Sequence, residues 1–223
     1  MTFNNREEAG RRLVERLIQY RGDPTAIILA LPRGGVAVGY QLSLGLHLPL
    51  DVFIARKLGA PDNPEYALGA VSETGTIHLN PDALAVYNLS GQEIEDLAQA
   101  QQQEVARRQV LYRRGRQLPT LSGRTVILVD DGIATGSTFF ASAKSIKHLT
   151  PRRLIGAIPV GPVETIREIR GQVDELVVLA TPEPFWAVGN HYIDFAQISD
   201  HDVVESMRLA EEALRERSPP LFA

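Results

Sequence analysis

The amino-acid sequence predicts an α/β fold, a three-layer, doubly wound and mostly parallel sheet, on three observations. Short apolar runs of strand length, Thr25–Leu31, Thr125–Val129, Leu154–Val160 and Glu175–Ala180, alternate with segments of helical period at Val36–Leu46, Ser137–Leu149 and Val163–Ile169. Such alternation puts helices on both faces of a parallel sheet. The first two runs end in small-residue turns, Pro32-Arg33-Gly34-Gly35 and Asp130-Asp131-Gly132, where open α/β sheets collect ligands. Finally, 223 residues with 44% hydrophobic content suit one conventional core.

The elements follow in order. Asn5–Tyr20 carries Ala9, Leu13, Leu17 and Ile18 at helical spacing and precedes Gly22, so an amphipathic entry helix is expected. Leu50–Ala55 (LDVFIA) reads as a second strand that stops at a charged turn, Arg56-Lys57-Leu58-Gly59. Pro61, Asn63 and Pro64 then mark a loop, and Ala67–Val71 and Thr76–Leu79 flank Ser72-Glu73-Thr74-Gly75 as a hairpin. Gly91–Arg114 is a long helical stretch rich in Gln, Glu and Arg. Residues 60–124 have too few apolar side chains for a core of their own, so they read as an insertion within a single domain spanning 1–223. After the last core strand comes a loop with Phe185 and Trp186, and Ser199 with Asp202 is set to cap a final helix whose inner face is Val203, Met207, Ala210 and Leu214.

Composition narrows the function. A net charge of -4 gives no global field for nucleic acid, and the absence of cysteine removes disulfides, thiolate metal sites and thiol nucleophiles. No apolar run approaches the roughly 20 residues that span a bilayer, and the first residues lack the apolar core of a signal peptide. A cytoplasmic chain without membrane or nucleic-acid partners is expected.

Chemistry concentrates in Val126–Thr138, VILVDDGIATGST. A buried strand delivers Asp130 and Asp131 to its carboxyl end. Small residues then let the amides of Ala134, Thr135, Gly136, Ser137 and Thr138 approach an anion at a helix start. Adjacent carboxylates beside a phosphate cradle make sense where they accept hydrogen bonds from ligand hydroxyls or lie near a divalent cation. The run resembles the phosphoribosyl pyrophosphate signature of type I phosphoribosyltransferases.

That resemblance implies roles for particular residues. Asp130 and Asp131 would hold the ribose hydroxyls and Ala134–Thr138 the 5-phosphate. Pro32-Arg33-Gly34-Gly35 resembles the family's pyrophosphate loop, which implies that Arg33 and the Gly34 and Gly35 amides face pyrophosphate, with a cis peptide at Pro32–Arg33. Lys57 matches a further basic pyrophosphate contact, with Arg56 as its neighbour. Ala60–Gly75, including Glu65, Tyr66 and Glu73, stands where the family has a mobile lid and reads equally as a solvated hairpin. Phe185 and Trp186 fall where the family has a hood, about 181–198 together with the N-terminal helix, so they are expected either to stack on a base or to belong to the core. Helix 91–114, with Arg107, Arg108, Arg113 and Arg114, reads as a solvated or dimer-facing surface. His191, Asp194, His201 and Asp202 match no metal motif.

The resemblance further implies Mg²⁺, a small-molecule acceptor and a homodimer, and covers about residues 3 to 210. One departure bears on substrate: relatives acting on 6-oxopurines carry an acid three residues after the second signature acid, where this chain has Ala134. Together with the ARKLG and NPEYALGAV stretches, the pattern is most similar to a little-characterised bacterial group of phosphoribosyltransferase-like proteins. A sensor on the same fold that binds phosphoribosyl pyrophosphate or a nucleotide without turnover is the alternative. A dinucleotide enzyme is disfavoured, because Gly34, Gly35 and Gly39 lack the G-x-G-x-x-G spacing.

Overall fold

The computed structural model describes residues 2–63, 66–87 and 89–217. Pro64 and Glu65, part of the expected lid, lie outside the described residues. The chain runs α1 (Arg6–Arg16), β1 (Ala26–Ala30), α2 (Gly34–Leu46), β2 (Leu50–Val52), β3 (Ala55–Gly59), β4 (Ala67–Ser72), β5 (Ile77–Leu79), α3 (Pro81–Tyr87) and α4 (Gly91–Arg113). It continues through β6 (Thr125–Val129), α5 (Ser137–His148), β7 (Arg153–Val160), α6 (Val163–Arg170), β8 (Glu175–Ala180) and α7 (Asp200–Arg217).

Five strands form a parallel sheet in the order β2-β1-β6-β7-β8. Alternate residues of each strand point to opposite faces. Ile28, Ala30, Ile127, Val129, Ile155 and Ala157 therefore meet α1, α2 and α7 through Leu13, Leu42, Val203 and Met207. Ile27, Leu29, Val126, Leu128, Leu154 and Ile158 meet α5 and α6 through Phe139, Ile146, Ile166 and Ile169. Both faces are covered, which is why the strands read as continuous apolar runs rather than alternating ones.

The region after β2 departs from expectation. Leu50–Ala55 is not one strand: the chain leaves the parallel sheet at Phe53 and Ile54, and β3 opens a separate antiparallel sheet ordered β3-β4-β5. Arg56-Lys57-Leu58-Gly59 is thus a strand rather than a turn, with Lys57 paired to Ala70. The apolar run masks the switch because Phe53 and Ile54 are buried in either setting. The β4–β5 hairpin forms as expected, its turn closed by the Ser72 amide donating to Thr76 O at 2.9 Å and by Gly75 at φ +83°. Only its tip is solvated, however, at Thr74 and Gly75. Every residue of β4 is buried, and Ser145 of α5 donates to Ser72 Oγ at 2.6 Å. Pro81 starts a helix in a stretch to which the sequence analysis assigns no element, with Asn80 Oδ1 accepting the Asp82 amide at 3.0 Å.

Helix α4 begins with a capping box between Ser90 and Glu93; much of it is exposed as expected, Arg107 and Arg114 included, but Arg108 and Arg113 are buried. Arg113, 2% exposed, donates to Asp51 at 3.0 Å and to Glu73 Oε1 at 2.8 Å, with its other Nη on Glu73 Oε2. Glu73 also accepts the Ile54 amide at 2.8 Å. Glu73 is therefore a buried tie between the two sheets and not a lid residue. Ile18, expected on the inner face of the entry helix, is 47% exposed in a 3₁₀ turn beyond α1. The Ser199–Asp202 cap of α7 forms as read, each side chain accepting the other's amide at 3.2 and 2.8 Å.

The Arg113 network generates a stability prediction, since removing one partner leaves two buried carboxylates uncompensated. Arg113→Met is expected to cost about 3–5 kcal/mol in urea unfolding, and a loss below about 1 kcal/mol would show that solvent reaches the pair.

Candidate functional site

The site lies where β1 and β6 run side by side and end together, with Ala30 opposite Val129. The chain leaves β1 toward β2 on one flank, while β6 lies on the other. Their carboxyl ends are thus a topological switch point, the place where open α/β sheets form a crevice. β1 feeds Pro32-Arg33-Gly34-Gly35 and β6 feeds Asp130 and Asp131, so the fold joins two motifs that are about a hundred residues apart in sequence. The Pro32–Arg33 peptide is cis, as the resemblance implies.

Contact between the two turns demands glycine. A Cβ on Gly34 would fall 1.9 Å from Asp131 Oδ2, and one on Gly35 would fall 2.9 Å from Val129 O and 3.0 Å from Asp130 Cα. No rotamer change of a neighbour relieves a clash with backbone. The paired glycines let the start of α2 lie directly on the acids.

Both acids are largely enclosed. Asp130 Oδ1 accepts the Asp131 amide at 2.9 Å. Asp131 Oδ2 accepts from Arg6 Nε at 2.6 Å, with the two side chains 14% and 10% exposed. Burial, and then the Asp131 charge beside it, raises the Asp130 carboxyl well above its usual range. Burial also raises Asp131, against the Arg6 charge that lowers it. The Tyr192 hydroxyl donates to the Asp131 carbonyl, and Arg6 Nη1 donates to Ala196 O at 2.8 Å while the guanidinium lies 3.8 Å from the centre of the Phe195 ring. Sequence reading missed Arg6. One signal pointed to it: a cation in the first turn of a helix opposes the helix dipole, so Arg6 at the first position of α1 wants a partner elsewhere.

Residues 132–138 form the second wall. Gly136 sits at φ +74° as the residue before α5, and no side chain caps the helix start. The first-turn amides of Ser137 and Thr138 are left for an external acceptor. Thr135 Oγ1 lies 3.2 Å from Ser137 Oγ, and Thr165 donates to Ala134 O at 2.9 Å, holding the loop's outer edge to α6. Ala134, Thr135 and Ser137 line a cavity of about 630 Å³, shared with His78, Asn80 and Thr165.

The cationic side is more populated than expected. Arg33 Nη1 lies 3.6 Å from Asp200 Oδ1, at the start of α7. Asp200 also takes Arg107 at 2.9 Å and the Tyr112 hydroxyl at 2.6 Å. Arg108, 9% exposed, pairs with Glu104 at 2.7 Å, and Arg56 reaches Gln101 Oε1 at 3.2 Å. Burial lowers the Arg56 pKa, and the charges of Arg108 and Arg33 lower it further, so positive groups crowd here. Arg56 and Lys57 line a cavity of about 530 Å³ with Gly59, Pro61, Leu97 and Gln101.

Phe185 and Trp186 part company. Phe185 is half-buried against Phe3, Val160 and Tyr192 and stacks on His191 with ring centres 5.1 Å apart. Trp186 is 79% exposed, so it is not a core residue. The rest of the hood is stitched to the N-terminus by backbone bonds, Phe3 N to His191 O and Ile193 N to Phe3 O, each 2.8 Å.

A sequence profile of the phosphoribosyl transferase domain matches residues 3–190. The chain belongs to this family. A Mycobacterium tuberculosis (strain H37Rv) protein provisionally named a phosphoribosyl transferase is 41% identical over 202 residues, 91% of this chain and 45% of that protein. The chain thus spans about half the length of the curated relatives it matches. Among solved structures, TT1426 from Thermus thermophilus is 40% identical with a TM-score of 0.77, covering 93% of this chain and 98% of that one. A Neisseria gonorrhoeae hypothetical protein with bound ppGpp, 16% identical with a TM-score of 0.50, covers 95% and 94% and shares the fold. In this phosphoribosyl transferase domain the run Val126–Thr138 ends β6 and opens α5.

The raised Asp130 carboxyl carries a stability consequence with a definite sign. An acid whose folded pKa exceeds its unfolded value costs stability as pH climbs through that interval, and the cost persists above it. Asp130→Asn is therefore expected to raise the melting temperature of the ligand-free protein at neutral pH and to leave it unchanged near pH 3. A lower melting temperature at pH 7.5 would mean that the carboxylate is stabilised rather than strained.

Proposed function

We propose that this domain transfers the 5-phosphoribosyl group of phosphoribosyl pyrophosphate to a nitrogenous acceptor and releases pyrophosphate. One observation carries the reading: the glycine pair after β1 lies directly on the acid pair after β6, beside a helix start that no side chain caps. A sugar diphosphate with a 5-phosphate has the matching parts. Hydroxyls donate to carboxylates, a terminal phosphate accepts from amides, and a diphosphate seeks cations.

In this reading Asp130 and Asp131 accept from the ribose hydroxyls. Ala134, Thr135, Gly136, Ser137 and Thr138 hold the 5-phosphate. Arg33, the Gly34 and Gly35 amides and Lys57 meet the pyrophosphate as it departs. Lys57 is the least direct of these, lying mid-strand in the antiparallel sheet. Catalysis is then mostly positioning and charge, with positive ribose character developing between the acids and the leaving diphosphate. No side chain serves as nucleophile.

Mg²⁺ fits as an ion brought by the substrate. Among the described residues no group of three or more His, Cys, Asp or Glu side chains stands ready to cage a cation, and Mg²⁺ is commonly bound through substrate phosphates and waters with few protein ligands. Diphosphate and ribose oxygens would hold it, and it would neutralise charge on the leaving group. The reading also includes a homodimer and a cytoplasmic setting, as the resemblance implies.

The acceptor end favours a second reading as well. Phe185 is turned into the hood, which leaves Trp186, in solvent, as the aromatic side chain of this pair open to a base; a sensor that binds phosphoribosyl pyrophosphate or a nucleotide without turnover is the competing proposal. Ala134 argues against 6-oxopurine acceptors in the first reading.

Two measurements test these proposals. Asp130→Asn and Asp131→Asn are each expected to weaken phosphoribosyl pyrophosphate binding more than about tenfold in calorimetry, the size of a lost charge-assisted hydrogen bond; unchanged affinity would remove the ribose role. Pyrophosphate release across a panel of bases with Mg²⁺ separates the two readings, since tight binding with no release for any base selects the sensor.

A further inference from the structure

We propose that Arg6, on the entry helix and outside every motif, is the positioning residue for the ribose acids and the link through which the hood is tied to them. The inference rests on the phosphoribosyl pyrophosphate reading above and goes beyond it by adding a residue from a different element.

Geometry is the basis. Arg6 is 9% exposed and comes from a helix 125 positions away from its partner in sequence, yet its Nε donates to Asp131 at 2.6 Å. The guanidinium has five N–H groups in a fixed plane. Nε is committed to Asp131 Oδ2 and Nη1 to Ala196 O at 2.8 Å. Among the described residues Nη2 has no acceptor. Because it shares an edge of the plane with Nε, this spare donor lies on the side of the acids.

The same cation fixes the hood from below. Its face covers the Phe195 ring at 3.8 Å, and Phe195 stacks on Tyr192 with centres 5.1 Å apart. Tyr192 in turn donates to the Asp131 carbonyl and bridges to Phe3, three residues before Arg6. Asp131 is therefore held by side chain and backbone from one connected unit, residues 3–6 with 192–196.

Two carboxylates side by side repel, and a hydroxyl-bearing ligand needs each of them oriented with an accessible lone pair. Arg6 supplies both conditions for Asp131: it offsets one charge and consumes only one oxygen, leaving Oδ1 to accept from a ligand. A lysine cannot reproduce this. Its point charge neutralises, but it lacks the planar fork that reaches Asp131 and Ala196 at once.

The test uses full-length protein, Mg²⁺ and three probes: phosphoribosyl pyrophosphate, ribose 5-phosphate and inorganic pyrophosphate. Arg6→Met is expected to weaken the two ribose-containing ligands by about tenfold or more, while pyrophosphate affinity stays within about twofold. Arg6→Lys, chosen to remain folded, should retain pyrophosphate binding fully and recover only part of the ribose-dependent loss. Combining Arg6→Met with Asp131→Asn closes a double-mutant cycle, and the double variant should bind little worse than the Asp131→Asn single variant. Fully additive losses, or equal weakening of all three ligands, would overturn the positioning role. Failure of the wild-type chain to bind any ribose-containing probe would instead overturn the underlying donor reading, and this inference with it.

Discussion

Two adjacent carboxylates at the end of a fully buried strand set the terms for everything around them. Asp130 and Asp131 are delivered by β6, whose residues are all buried, so neither acid can turn away into solvent as a surface residue would. Close approach must come from atoms that are small and electropositive. The backbone at Gly34 and Gly35 is the first answer, since any side chain there would enter the space of the acids. Arg6 is the second. A single guanidinium meets a pair of acids, so the net negative charge is reduced without being erased, and the site keeps acceptor capacity for a ligand.

Arginine makes the long-range ties, and the choice has a physical reason. Lys57, Lys144 and Lys147 are the only lysines among 23 basic residues. A planar, weakly hydrated fork can serve two acceptors in different elements while buried, where an ammonium would be costly to desolvate. Arg113 joins β2 to the β4–β5 turn, and Arg6 joins the acid pair to the hood. Arg33 and Arg107 meet at Asp200, so the turn after β1 is tied to α4 and α7 in the same way.

This pattern explains which features were legible in the sequence. The parallel strands, α2, α5, α6 and the Ser199–Asp202 cap follow from local signals: apolar runs of strand length, glycine turns and a polar residue three positions from its partner. The joining of PRGG to the acid pair was implied by the family resemblance, while the pairing of β1 with β6 that brings the two turns together is seen only in the structure. What escaped depends on distant partners. Arg113 and Glu73 look in sequence like solvated charges on a helix and a hairpin tip, and only the pairing of β3 with β4 brings them into one buried site. The change of sheet at Phe53 and Ile54 left no mark, since both sheets bury those positions. Arg6 announced itself only by its poor fit to the dipole of its own helix.

The arrangement has a consequence for how donor and acceptor ends communicate on the proposed reading. Hood residues 192–196 touch the acid pair through Arg6 and Tyr192 rather than through the sheet. A molecule that settles under the hood and shifts Phe195 must move the guanidinium lying on that ring, and with it the carboxylate that receives the ribose. The coupling is reciprocal by thermodynamic necessity: a ribose that draws Asp131 into a new orientation pulls on Arg6 and therefore on Ala196 and Phe195. An enzyme would use such a link to align the acceptor only after the donor has bound. A sensor would use it to convert donor occupancy into a change at the hood surface, where Trp186 stands in solvent. The link serves both readings, so the chemistry that follows is decided at the hood, while the ribose acids do the same work in either case.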